Sequence, residues 1–151
     1  MKDDKNQKNI TVNRKAEHDY FISQRIEAGI SLLGTEVKSL RLGKANLTDA
    51  YAAIIDDEVW LINSHISTFD QASYNNHEPL RKRRLLLKRS EIRKLRFKLL
   101  EKGFTLIPLR FYFKGNRIKV ELGLAKGKKL YDKRESIARK DLNREFERKF
   151  K

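Results

Sequence analysis

Toward nucleophilic or metal chemistry this 151-residue chain offers little: histidines at 18, 65 and 77 and no cysteine. None of the histidines lies in an HExxH motif, and neither GxSxG nor a P-loop occurs. His18-Asp19 and His77-Glu78 are sequence neighbours whose side chains need not converge. The residues that invite chemistry are those that grip a polyanion. Asn13, His18 and Tyr20 bring an amide, an imidazole and an aromatic ring into one short segment, groups that stack on or hydrogen-bond to unstacked RNA bases. The same three also suit a helix cap, a surface histidine and a plug for a β core. Glu36 stands among Lys38, Arg41 and Lys44. A carboxylate repels phosphate, so within an RNA site it accepts hydrogen bonds from base edges. It also complements a helix N-terminus, worth about 0.3–1 kcal/mol, and both roles can hold at once. Lys126, Lys128 and Lys129 follow a strand-like run, and Gly127 permits close backbone approach, as phosphate binding at a barrel rim requires. A solvated charge run is the plainer alternative there.

The charge balance favours the polyanion. Thirty-five Lys and Arg against twenty Asp and Glu leave +15, with a pI near 10.1. Residues 1–80 hold nine cations and twelve anions, whereas residues 81–151 hold twenty-six and eight. Solubility needs no such asymmetry; a binding face does. The basic residues flank strand-like segments and do not form a long basic amphipathic helix, which favours nucleic acid over a membrane surface. Absent cysteines exclude disulfides and thiolate chemistry and fit a reducing, cytoplasmic setting. The N-terminal MKDDKNQKNI has no apolar run, and no stretch approaches the roughly 18 apolar residues of a membrane span.

These residues need elements to position them. Residues 1–9 read as a flexible N-terminus, 10–125 as one domain and 126–151 as a basic tail. Asn13 predicts a cap for a short helix over Arg14–Tyr20, and Thr35 a cap for another that ends at Gly43. FISQRIEAGISLL (21–33) reads as a hairpin broken at Glu27-Ala28-Gly29, and Tyr51–Ile55 with Val59–Asn63 as a second around Asp56-Asp57-Glu58. Residues 70–79 are loop-like, and Leu85-Leu86-Leu87 is a short buried run of ambiguous type. Ser90 predicts a cap for a helix through Lys102, with Ile92, Leu95 and Leu99 inward. Residues 104–125 alternate around Lys114-Gly115-Asn116, the clearest strand signal, with Pro108 marking an edge or bulge. In the tail the apolar set is thin, chiefly Ile137, Leu142, Phe146 and Phe150, so it reads as loose alone and folding on a partner. Some six short strands with two or three helices predict a mainly β fold, a small closed barrel of the oligonucleotide-binding type.

The order of four blocks is recognisable. NRKAEHDYFI (13–22), GTEVKSLRLGKANLTDAY (34–51), NHEPLRKRRLLLKRSEI (76–92) and GLAKGKKLYDKR (123–134) resemble the SsrA-binding protein family, small protein B, in order and spacing. The resemblance runs from Asn13 to Arg134. It implies an oligonucleotide-binding six-stranded barrel with about three helices and a non-enzymatic role in ribosome rescue, with no cofactor and no metal. It further implies binding to the tRNA-like domain of transfer-messenger RNA, delivery with elongation factor Tu, and action on the stalled 70S ribosome in trans-translation. It places Asn13, His18, Tyr20 and Glu36 against the RNA, with Lys38, Arg41 and Lys44 on nearby phosphates. The tail is implied to be disordered when free and helical along the empty mRNA channel. Its Tyr131, Asp132, Lys133 and Arg134 are implied to meet the small-subunit decoding region. Members often carry His where this chain has Tyr131, which stacks but supplies no cationic ring; some carry Trp near Leu142. Two rivals remain: a general or ribosomal RNA-binding protein, and an RNA-processing enzyme dependent on His18.

Overall fold

The computed structural model describes residues 7–71 and 75–128. The chain runs β1 (Gln7–Val12), α1 (Arg14–Asp19), β2 (Tyr20–Ile30), α2 (Gly34–Arg41), β3 (Ala45–Asn46), β4 (Tyr51–Ile55) and β5 (Glu58–Ile62). It continues through β6 (His65–Ile66), β7 (Arg83–Leu86), α3 (Arg89–Leu99), β8 (Phe104–Lys114) and β9 (Arg117–Gly127). Strands β8-β4-β5-β7-β2-β9 pair in that order, and β9 pairs back onto β8, closing a ring of six. Closure leaves the ring no free edge, and β1 adds to the outside of β8. A separate two-stranded sheet joins β3 to β6. Among the described residues the fold is mainly β with three helices, as expected.

Turn chemistry explains the two hairpins that form as read. Asp56 and Asp57 both take positive φ between β4 and β5, the conformation of a two-residue hairpin turn. Gly115 does the same at the β8–β9 turn. Alternation in β8 and β9 puts Leu106, Phe111, Val120 and Leu122 inside, where they meet Leu61, Val59 and Leu40 in the main core. The register slips between Pro108 and Arg110, so the proline sits at a bulge on a strand paired on both sides.

Several elements differ from expectation. The 21–33 hairpin is one continuous strand, β2, because Gly29 is no turn residue. It pairs with both Leu86 and Lys119, and a Cβ there would come within 3.1 Å of Leu86 Cβ. Gln7–Asn9, assigned to the flexible N-terminus, belong to β1. Strand β9 runs through Lys126 and Gly127, two residues into the expected tail. Thr35 and Ser90 do not cap. The cap positions are Leu33 and Lys88, whose N–H groups donate to Glu36 (2.7 Å) and Glu91 (3.1 Å) three residues on. Leu85 is buried, but Leu86 alternates outward, as β7 demands.

Candidate nucleic-acid interface

At one end of the ring, α1, the start of β2 and the end of β9 converge. Register pairs Tyr20 with Gly127 and Phe21 with Lys126. Lys128 Nζ lies 5.1 Å from the Phe21 ring centroid and donates to Glu17 O at 2.9 Å. Lys126 Nζ sits 4.5 Å from the Phe104 ring. Cations held over aromatic rings have ordered side chains and set positive charge beside stacking surface, a suitable arrangement for phosphate beside base. His18 is 88% exposed on α1, with Nδ1 3.1 Å from Asp19 Oδ1. Tyr20 is half-buried against Ala16, Ile107, Leu109 and Ala125, so part of its ring plugs the small second core. The structure thus brings His18, Tyr20, Lys126 and Lys128 together, and adds Phe21 and Phe104. Phe21, next to Tyr20, was findable; Phe104 is joined to Lys126 only by pairing.

Asn13 departs from expectation. It occupies the cap position of α1 without a side-chain cap bond. Its Nδ2 donates to Leu47 O (3.2 Å) and Pro108 O (3.0 Å), and its N–H to Leu109 O at 2.7 Å. The side chain satisfies the carbonyl freed by the bulge in β8, so the amide nitrogen is not offered to RNA.

Glu36 requires the larger correction. Its carboxylate is 0% exposed, and both oxygens are occupied. Oε1 accepts from Arg81 at 2.5 Å and from Leu33 N–H at 2.7 Å, while Arg83, itself fully buried, donates to Oε2. Arg83 also donates to Ser64 O (2.8 Å), Ser64 Oγ (3.0 Å) and Pro79 O (3.1 Å). A buried carboxylate persists only when paired, and here no lone pair faces solvent for a base edge. The expected role at the helix N-terminus holds. Burial would push this carboxyl up, but Arg81, the Leu33 N–H and the Arg83 charge outweigh it and hold it below its ordinary value. Nothing local signals these partners, which lie 45 and 47 residues away in sequence.

The cations of the α2 segment are partly committed to the following loop. Lys38 Nζ stands 5.4 Å from the Phe69 ring, and Lys44 Nζ 3.6 Å from Asp70. Arg41 is exposed on the last turn. His77, noted in the sequence only beside Glu78, is buried, with Nδ1 2.9 Å from Thr35 Oγ1 and Nε2 2.8 Å from Ile66 O; it ties α2 to β6. Lys129, Tyr131, Asp132, Lys133 and Arg134 lie outside the described residues. Among the described residues no cluster of His, Asp and Glu is placed to hold a metal ion, and no helix is long and apolar enough to cross a membrane.

Known proteins resemble this chain over most of its length. The chain is 57% identical over 142 residues to the SsrA-binding protein of Carboxydothermus hydrogenoformans, covering 94% of this chain and 95% of that one. It is 60% identical over 139 residues to the SsrA-binding protein of Syntrophobacter fumaroxidans, covering 92% and 86%. A solved chain described under "tmRNA-SmpB: a journey to the center of the bacterial ribosome" superposes with a TM-score of 0.67 at 50% identity, covering 78% of this chain and 83% of that one. The two curated relatives are named for binding SsrA and not for catalysis. The model of the family described as SmpB protein matches residues 10–151, and the chain belongs to that family.

Proposed function

We propose that the protein binds the tRNA-like domain of SsrA RNA, the transfer-messenger RNA, and carries it to stalled ribosomes in the cytoplasm for trans-translation. The observation that carries the reading is the joining of His18, Tyr20, Lys126 and Lys128 at one rim, in a chain whose relatives are named SsrA-binding protein. Lys126, Lys128 and Lys129 hold phosphate, while His18 and Tyr20 meet unstacked bases. Lys38, Arg41 and Lys44 hold phosphates nearby. Glu36 acts at one remove, fixing Arg81 and the start of α2. Elongation factor Tu is the partner in delivery. The oligonucleotide-binding barrel stands in for an anticodon stem, and the tail enters the empty mRNA channel. There Tyr131 stacks on a ribosomal base and Lys133 and Arg134 pair with phosphate, beside Asp132.

Truncation after Lys129 separates the two halves of this reading. It should leave affinity for the tRNA-like domain unchanged and abolish tagging of stalled products in a reconstituted system. Equal loss of RNA affinity would refute the division of labour.

A further inference from the structure

Beside the rim described above lies a cleft of about 350 Å³ between α1 and the turn that leads into β4. Its walls include Asn13, Lys15, Tyr20, Thr48, Asp49 and Tyr51. Asp49 is exposed and makes no hydrogen bond or ion pair among the described residues. Asp19, on the same wall, is engaged by His18. Asn13 is 7% exposed; with Nδ2 committed to two carbonyls, its Oδ1 is buried and accepts from no group. A cleft that carries an unused buried acceptor, an available carboxylate and two phenol rings is built to receive hydrogen-bond donors on a flat ring. The cations of the rim flank it, since Tyr20 pairs with Gly127 between Lys126 and Lys128.

We propose that this cleft is a guanine pocket for one unpaired base of the bound RNA, with Asp49 as the residue that selects it. Guanine alone among the four common bases presents two adjacent donors, N1–H and N2–H₂, on its Watson–Crick edge, and a carboxylate accepts both at once. Phosphate is repelled by Asp49, so Lys15 and the rim lysines take the backbone while the carboxylate takes only base donors. Tyr20 and Tyr51 supply stacking surface, which tolerates any base and leaves the choice to Asp49. The pocket deepens the proposed RNA-binding function and rests on it for the polymer that delivers the base.

The test uses inosine, which lacks the N2 amino group. The full-length protein is titrated against the tRNA-like domain of SsrA RNA with single guanosine-to-inosine changes at unpaired positions, and against the pentanucleotides UUGUU, UUIUU and UUAUU. One inosine position should weaken the long RNA about tenfold, and UUGUU should outbind UUIUU and UUAUU. D49N should bind guanosine and inosine forms alike while keeping the wild-type melting temperature, since Asp49 is exposed. A D49N protein that still discriminates, or a wild type indifferent to inosine in both RNAs, overturns the pocket. Pentanucleotide discrimination without preference for the tRNA-like domain over bulk tRNA would uphold the pocket and refute the proposed function.

Discussion

Replacing Glu36 by Gln keeps the side chain's shape and its acceptor for Leu33 N–H but removes the charge between Arg81 and Arg83. Arg83 is fully buried, and although Ser64 and Pro79 still accept from its guanidinium, its positive charge loses its counterion. Breaking a buried pair from one side costs about 3–5 kcal/mol, a large part of the roughly 5–15 kcal/mol that holds a domain folded. At about 4 °C per kcal/mol for a chain of this size, the melting temperature should fall by roughly 12–20 °C. Calorimetry or circular dichroism at neutral pH reads this directly. The acid limb provides a second reading. Because the folded carboxyl lies below its ordinary 4.5, its stabilisation is complete above that pH and is lost as pH falls through the folded value. E36Q should therefore unfold less steeply with acid below about pH 4.5 than the wild type does. RNA affinity, measured well below the variant's melting point, should weaken only as far as Arg81 and α2 shift. A melting temperature within about 4 °C of wild type, together with lost RNA binding, would refute the positioning role and restore Glu36 to the RNA.

Other expectations follow from particular contacts. Removing both rim cations with K126A and K128A should lower RNA affinity and flatten its salt dependence by one to two units of log–log slope; an unchanged slope would place the phosphates elsewhere. Tyr112, 1% exposed, donates to Glu27, and burial together with that carboxylate holds its phenol above the ordinary 10. At about pH 11 the wild type and Y112F should therefore show equal phenolate absorbance, and an excess of one tyrosine in the wild type would contradict the buried bond. Ala at Gly29 would push its Cβ to 3.1 Å from Leu86 Cβ and should cost about 1 kcal/mol in a melt. A silent G29A would remove the reason given for the unbroken β2.

What could be read from the chain was whatever depends on near neighbours. The β4–β5 and β8–β9 turns show in Asp56-Asp57 and Gly115 because positive φ favours those residue types. The inner face of α3 shows in Ile92, Leu95 and Leu99 because helical spacing is local. Gly29 misleads because a glycine serves close approach as readily as a turn, and only the partner strand distinguishes the two. Ser90 misleads because the N–H of Lys88 is taken by Glu91 instead. The interface divides along the same line. The Tyr20 segment and the Lys126 segment are each legible, but only the β2–β9 pairing shows that they share a rim. Glu36 looks like a surface acid on a short helix, and its burial is set by two arginines that arrive on a distant strand and the loop before it. The role of Asn13 at the β8 bulge lies beyond any local pattern, since the bond spans 95 residues.

The central claim is that recognition is specific and not a consequence of +15 charge. Labelled tRNA-like domain of SsrA RNA, held by the protein at roughly 0.2 M salt where nonspecific phosphate binding is weak, should resist excess bulk tRNA and unrelated structured RNA. Equal competition by bulk tRNA would contradict the account and leave charge alone as the explanation of binding.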